Sequence, residues 1–283
     1  MCALKIQAEV KVDSEPCVMA WDNNTLFVGT ENGSILSFDK NLSPGASWSA
    51  HEMQLFALTA ANGNLYSSSY DGGVRVWSSN GSKVAELPST GGDIGALYVC
   101  ENQLISGDEG GNVVIYENNV EKAKYNVLEE VKDMALKPPY LFTARDLYVT
   151  VTEIKPDESK TRFTTRHTME GRAPLKVAGS RLVVTARGGN SLQLHDASIE
   201  TKFKKLHEIK VSDMILTSLS VYGDHAWTGG WDGFVRRWKM SGDQLQLDGE
   251  INIGACVNVI IATSADTVYG AITGGQIVCV KAM

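Results

Sequence analysis

The sequence predicts an all-β chain of seven repeated units, each a four-stranded antiparallel sheet. Three observations lead to this prediction. The segment 64–77 recurs at 225–238 with the same order and spacing of its turn Asp-Gly and closing Trp. Turn residues divide the chain at intervals of about forty residues, the length of a four-stranded propeller blade. No segment has a sustained helical period, so we expect the units to form a seven-bladed β-propeller.

The clearest unit is the segment 64–77, which reads as two strands joined by a tight turn. Residues 65–69 can lie extended, residues 70–73 form the turn Tyr-Asp-Gly-Gly, and residues 74–77 resume a strand. Asp and Gly favour such turns because they tolerate positive φ angles. The corresponding turn residues of the seven units are Gly33, Gly73, Gly111, Asp146, Gly189, Gly233 and Gly275.

The two ends of the chain are predicted to meet in the last unit. Residues 4–12 alternate apolar and polar side chains but precede the first complete unit, whereas the last unit ends after its third strand, 276–280. Residues 4–12 are therefore expected to be the outer strand of the last blade, which closes the ring and removes two exposed sheet edges. Because a ring needs every blade, residues 1–283 are predicted to be one domain.

The second unit resembles the WD-repeat β-propeller family. His51, Ser67, Asp71 and Trp77 stand where that family builds a structural hydrogen-bond tetrad. The resemblance implies that Asp71 contacts His51, and that the Ser67 hydroxyl and the Trp77 indole N–H complete the network. Each such bond contributes about 1 kcal/mol when every member of a buried network has its partner.

The sixth unit keeps only part of this pattern. Thr228, Asp232 and Trp238 match the family, but Ser212 stands where the resemblance implies a histidine. Further units carry degenerate forms of the closing Trp-Asp pair at 38–39, 116–117 and 195–196. The resemblance therefore covers the architecture of the whole chain and is specific in two units.

Composition limits the functional classes. The net charge of −7 argues against a general nucleic-acid binder. Five cysteines, without any Cys-x-x-Cys spacing, are typical of a reducing compartment. The first residues lack the apolar stretch of a leader, and no apolar run is long enough to cross a membrane. We expect a cytoplasmic or nuclear protein with no membrane association.

Candidate partner contacts lie in the turns between the second and third strands of the units. Trp231 and Tyr70 each stand just before a turn Asp, where little core is available, and aromatic residues are enriched in binding hot spots. The alternative for both is packing on a neighbouring loop. Arg145 and Arg187 occupy turns of the middle units, where a solvated charge or a surface ion pair is the competing interpretation.

A local basic run, 160–172, is predicted to form the outer strand of the fourth unit and the connection after it. Arg162 and Arg166 alternate with apolar or neutral residues, so one side of the strand would display arginines on an exposed edge. Such charges protect an edge against pairing with another strand. They would also dock an acidic or phosphorylated partner.

Signals for catalysis are weak. The five histidines lack the spacing of a zinc site, and neither a nucleophile elbow nor a phosphate-binding glycine loop is present. No metal or cofactor is expected. The sequence favours a non-enzymatic scaffold that binds other proteins on its loops, as a monomeric propeller within a larger complex. The alternatives are an adaptor subunit of a ubiquitin ligase and an enzyme or small-ligand binder that uses the central channel.

Overall fold

The computed structural model describes residues 1–71, 73–155 and 162–283. These residues form seven four-stranded antiparallel sheets and contain no helix. The first strand, β1 (Leu4–Lys11), belongs to the last sheet. We number the sheets as blades one to seven in chain order.

Blades one to three follow β1 in the order of the chain. Blade one contains β2 (Pro16–Asp22), β3 (Thr25–Thr30), β4 (Ser34–Asp39) and β5 (Pro44–Ser49). Blade two contains β6 (Leu55–Ala61), β7 (Asn64–Ser69), β8 (Val74–Ser78) and β9 (Lys83–Leu87). Blade three contains β10 (Ile94–Cys100), β11 (Gln103–Asp108), β12 (Asn112–Glu117) and β13 (Val120–Asn126).

Blades four to seven continue the pattern. Blade four contains β14 (Asp133–Lys137), β15 (Tyr140–Ala144), β16 (Tyr148–Ile154) and β17 (Phe163–Glu170). Blade five contains β18 (Arg172–Ala178), β19 (Arg181–Thr185), β20 (Ser191–Asp196) and β21 (Lys205–Lys210). Blade six contains β22 (Leu216–Tyr222), β23 (His225–Gly230), β24 (Phe234–Ser241) and β25 (Gln244–Asn252). Blade seven contains β26 (Val257–Ala262), β27 (Thr267–Ile272), β28 (Gln276–Ala282) and β1.

The first strands of the seven blades contact one another in a closed cycle, from β2 through β6, β10, β14, β18, β22 and β26 back to β2. The blades are therefore arranged in a ring around these strands. Blade seven is completed by β1, which pairs antiparallel with β28 from Leu4 opposite Ala282 to Lys11 opposite Gln276. The predicted all-β fold of seven antiparallel blades, closed by the N-terminal strand, is confirmed.

The apolar core lies between neighbouring blades. The described residues form seven buried clusters, and each one spans two adjacent blades. At the junction of blades seven and one, for example, Tyr269 and Cys279 pack with Met19 and Leu26. Burial of apolar surface contributes about 25 cal/mol per Å². Since each blade covers a face of the next, this contribution is complete only in a closed ring.

The outermost strand pair is irregular in all seven blades of the described chain. A register shift interrupts the pairing of the third and outer strands at or beside Phe38, Trp77, Tyr116, Thr152, His195, Trp238 and Val280. Five of these positions are the closing Trp residues or the degenerate equivalents of the sequence pattern. The large side chain at the end of the third strand therefore coincides with a bulge of the outer strand.

The loops fall into two sets because the strands alternate in direction. Hairpins between second and third strands lie with the connections between blades, as backbone hydrogen bonds from Glu31 N to Glu15 O (2.9 Å) and from Trp231 N to Ile215 O (3.0 Å) demonstrate. We call this set of hairpins and connections the loop face. Connections after first and third strands lie on the opposite face.

Candidate protein-binding face

The hairpin of blade two is held by a chain of buried hydrogen bonds. The Trp77 indole N–H donates to the Ser67 hydroxyl oxygen (2.9 Å), and Ser67 Oγ lies 2.7 Å from His51 Nε2. His51 Nδ1 lies 2.7 Å from Asp71 Oδ1. Since the carboxylate only accepts, Nδ1 carries the proton, and Nε2 accepts from Ser67. This network joins the hairpin of blade two to the connection that precedes the blade.

Burial and charge fix the ionisation of this network. Burial lowers the pKa of His51 below its ordinary value and outweighs the opposite effect of the Asp71 hydrogen bond. Burial alone would raise the pKa of Asp71, but hydrogen bonds from His51 and the Glu52 backbone, together with the Arg75 charge, bring it below its ordinary value. A neutral imidazole therefore donates to an ionised carboxylate. Arg75 completes the site at 3.0 Å from Asp71 Oδ2.

Blade six has a shorter version of the network. The Trp238 indole N–H donates to Thr228 Oγ1 (2.9 Å), as the equivalent atoms do in blade two. Asp232 accepts from Arg236 Nη1 (2.7 Å) and from the Phe234 backbone N–H (3.1 Å). Ser212, in place of the histidine, hydrogen-bonds to Asp232, but no described side chain joins the Trp–Thr bond to the turn carboxylate. Asp71 and Asp232 thus hold their hairpins in place, with an arginine four residues later in both blades.

Half of the twelve large apolar side chains that are exposed in the described chain lie on the loop face. Six are exposed there: Met53, Tyr70, Leu128, Tyr148, Met214 and Trp231. Trp231 is 61% exposed and Tyr70 is 51% exposed, although large aromatic side chains of this kind are mostly buried in folded proteins. Clusters of exposed apolar side chains are typical of surfaces that bind other proteins.

Blades two and six present the same pair of exposed side chains. In blade six, the hydrogen bond from Trp231 N to Ile215 O places Trp231 next to the segment that carries Met214. In blade two, the Ser69 hydroxyl donates to Met53 O (3.0 Å), next to Tyr70. The Tyr70 ring also lies edge-on to Phe56, with centroids 3.8 Å apart. Each pair combines an aromatic residue before the turn Asp with a methionine from the preceding connection.

Arg145 and Arg187 lie on the loop face with partners from the chain itself. Their guanidinium carbons are 5.9 and 5.6 Å from the centroid of the Tyr148 ring. Arg145 also pairs with Glu129 (2.7 Å), and Arg187 with Glu170 (3.3 Å). The Arg145 side chain is largely buried, whereas that of Arg187 is 48% exposed. The two arginines therefore brace blades four and five, and Arg187 is the more accessible.

The basic run lies mainly on the outer strand of blade four. Arg166 on β17 donates to Glu153 Oε2 (2.6 Å). Arg162, just before β17, is half-buried and lies against the Phe163 ring, 5.6 Å from its centroid. These two side chains are therefore engaged within the blade and are apart from the loop-face residues. Residues 160–161 of the run lie outside the described residues.

Sequence reasoning missed the methionines and Leu128. Nothing in the local pattern distinguishes Met53 or Met214 from core residues, since each is followed closely by a buried leucine. Leu128 is 86% exposed and has a φ of 71°. Neither the exposure of Leu128 nor its positive φ can be read from the sequence.

Comparisons with known proteins agree with the fold. No protein-family model and no curated protein matches this chain. Among solved structures, the crystal structure of the computationally designed protein Ika8 superposes with a TM-score of 0.73 at 16% sequence identity, covering 96% of this chain and 98% of Ika8. The chain is a seven-bladed β-propeller. At this level of identity, the similarity between the propeller and Ika8 concerns the fold alone.

Two further observations describe the propeller. Among residues 1–71, 73–155 and 162–283, no group of three His, Cys, Asp or Glu side chains is arranged to hold a metal ion. The same residues contain no helix with the length and apolar character that crossing a membrane requires.

Proposed function

We propose that this propeller is a WD-repeat protein that acts as a non-enzymatic scaffold, binding other proteins through its loop face within a cytoplasmic or nuclear complex. The observation that carries the proposal is that this face presents six exposed large apolar side chains, among them Trp231, which at 61% is the most exposed aromatic residue of the described chain. Aromatic side chains at such positions supply much of the energy in protein interfaces. The hydrogen-bond network of blade two supports the WD-repeat assignment.

The mechanism of such a scaffold is geometric. The seven inter-blade cores fix the positions of the hairpins, and the hairpins present side chains from several blades at once. Trp231 with Met214, and Tyr70 with Met53, offer two anchor points on blades six and two. A partner loses little entropy on binding to a surface that is already ordered.

Affinity purification with the Trp231→Ala variant tests this function. We expect a defined set of interacting proteins to be depleted about tenfold, because one anchor at the centre of an interface contributes about 1.4 kcal/mol or more. The matched control is Tyr222→Ala, which removes an exposed aromatic ring, 49% accessible, from the opposite face. Both variants should melt at the wild-type temperature. Equal recovery of all interactors with both variants would contradict the proposal.

A further inference from the structure

The apolar patch of blade two lies among unpaired acidic side chains. We define this blade-two patch as Met53, Phe56 and Tyr70. Tyr70 packs edge-on to Phe56 and keeps half of its surface exposed, and Met53 is equally exposed beside it. The patch is a preformed surface, because the Ser67–His51–Asp71 network fixes the hairpin that carries Tyr70.

Acidic residues of the loop face are paired in one sector and unpaired in another. In blades four and five and the connection before them, Glu129, Glu130, Asp146 and Glu170 each form an ion pair with a lysine or arginine. In the loops of blades one to three, five carboxylates form no ion pair within the described part of the chain: Asp13, Glu31, Glu52, Asp93 and Glu109. The negative charge is therefore concentrated around the blade-two patch.

Backbone contacts place these carboxylates on both sides of the patch. The Glu52 N–H donates to Asp71 Oδ2 (3.1 Å), next to Tyr70 in the chain. On the blade-three side, the Glu109 N–H donates to Asp93 O (3.0 Å). On the blade-one side, the Glu31 backbone N–H donates to the Glu15 backbone carbonyl oxygen (2.9 Å). The pKa of the nearby Cys17 thiol is raised to about 11, chiefly by burial and also by the negative charges of Glu31 and Glu15.

We propose that the blade-two patch binds a cationic, partly apolar segment of a partner protein, with a lysine or arginine side chain over the Tyr70 ring. A cation is attracted to the face of an aromatic ring, and neighbouring carboxylates accept its hydrogen bonds. An apolar side chain of the same segment would pack on Met53. The inference rests on the proposed scaffold function and specifies the chemistry of the partner.

The probe is a short fluorescein-labelled peptide made of repeated Gly-Leu-Arg-Ser, measured by fluorescence anisotropy. A peptide with Glu in place of Arg is the control and should not bind. Binding of the arginine peptide should weaken with salt. Tyr70→Ala should reduce the affinity about tenfold, whereas Tyr70→Phe, which keeps the ring, should bind nearly as well as wild type. Unchanged binding by Tyr70→Ala would overturn the proposal.

Two double variants of equal net charge separate a local site from general attraction to an acidic protein. Glu31→Gln with Glu52→Gln should weaken peptide binding about tenfold, and Glu129→Gln with Glu170→Gln should change it less than twofold. Equal effects of the two pairs would overturn the proposal. The scaffold function and this inference can fail separately. If Trp231→Ala loses interactors but the wild-type protein does not bind the arginine peptide, the scaffold function stands and this inference falls. If the peptide binds at the blade-two patch but Trp231→Ala keeps every interactor, the scaffold function as proposed falls and the peptide site remains.

Discussion

Ser67 is the residue on which the blade-two network depends, because its hydroxyl accepts from Trp77 and donates to His51. Ser67→Ala would leave both buried partners unsatisfied, each at a cost of about 1–3 kcal/mol. Thr228 of blade six serves Trp238 alone, so Thr228→Val leaves one donor without a partner. We expect destabilisation of about 3 kcal/mol for Ser67→Ala and about half as much for Thr228→Val. Denaturant melts of the two variants measure this, and equal losses would contradict the network.

The ionisation of His51 makes stability depend on pH. Its pKa is lower in the folded protein than the ordinary value of about 6.5 in the unfolded chain, so the folded state binds fewer protons. The contribution of His51 is complete above about pH 6.5 and is lost as pH falls from there through the folded pKa. Asp71 acts in the same direction, but below about pH 4, since its pKa is also lowered.

Unfolding free energies of wild type and His51→Gln, measured between pH 7.5 and 5, test this linkage. Wild type should lose stability faster on acidification, by at most about 1.4 kcal/mol per pH unit for one histidine. His195 is also buried with a lowered pKa, but it is present in both proteins, so its effect cancels in the comparison. Parallel pH profiles would show that His51 does not titrate as described.

At the level of residues, the sequence indicated which side chains meet where a resemblance supplied the positions, as for His51 and Asp71. It also indicated that Trp231 and Tyr70 have little core to enter, because each stands just before a turn Asp, and both side chains are exposed. It could not place the partners of Arg145 and Arg187. The contact of Arg145 with Tyr148 lies within one hairpin. Glu129 reaches Arg145, and Tyr148 and Glu170 reach Arg187, from other loops, because the ring places neighbouring blades side by side.

Among the elements, the hairpin between β27 and β28 shows how a turn holds two distant segments together. Gly275 has a φ of 82°, and a Cβ atom there would lie 2.4 Å from Val12 O. The Val12 N–H donates to Gly275 O (2.8 Å). The turn thus fits closely against the end of β1. Its neighbour Gly274 has a φ of 95° with open space where a Cβ would lie.

These adjacent glycines give a matched pair of substitutions. Gly274→Ala should cost about 1 kcal/mol, the strain of an alanine at positive φ. Gly275→Ala should cost at least about 3 kcal/mol, because it adds a clash with rigid backbone to the same strain. Thermal melts compare the two. A similar loss for both would mean that the end of β1 moves away without penalty.

The sequence predicted the elements well where turn chemistry is strong. Asp-Gly and Gly-Gly pairs mark the hairpins, and the alternation of residues 4–12 identified β1. The bulges of the outer strands were not predictable, because each depends on how a large side chain such as Trp77 or Tyr116 fits against the preceding blade. Blade four shows the same limit: its Arg145-Asp146 turn lacks a glycine, yet the blade has four strands like the rest.

On the scale of the whole molecule, closure of the ring depends on β1. This strand supplies the outer pairing of β28 and contributes Leu4, Ala8 and Val10 to the cores on both sides of blade seven. Deletion of residues 1–12 should therefore destabilise the entire propeller by several kcal/mol. For a chain of this size, that lowers the melting temperature by more than about 10 °C. An unchanged melting temperature would contradict the closure.

A rescue experiment distinguishes closure from a general effect of truncation. A synthetic peptide of residues 1–12, added in trans, should restore part of the lost thermal stability, and the gain should increase with the logarithm of the peptide concentration once the site is mostly filled. A peptide with the same composition in scrambled order is the control. Equal rescue by both peptides would show that strand pairing with β28 is not the cause.

The irregular outer strands have a consequence for the behaviour of the protein in concentrated solution. Fibril growth requires straight, in-register strands that can template another molecule, and in every blade of the described chain the pairing of the outer strand is interrupted by a register shift. We therefore expect the protein to stay dispersed, without thioflavin-positive material, at concentrations where flat sheets of similar composition would assemble side by side.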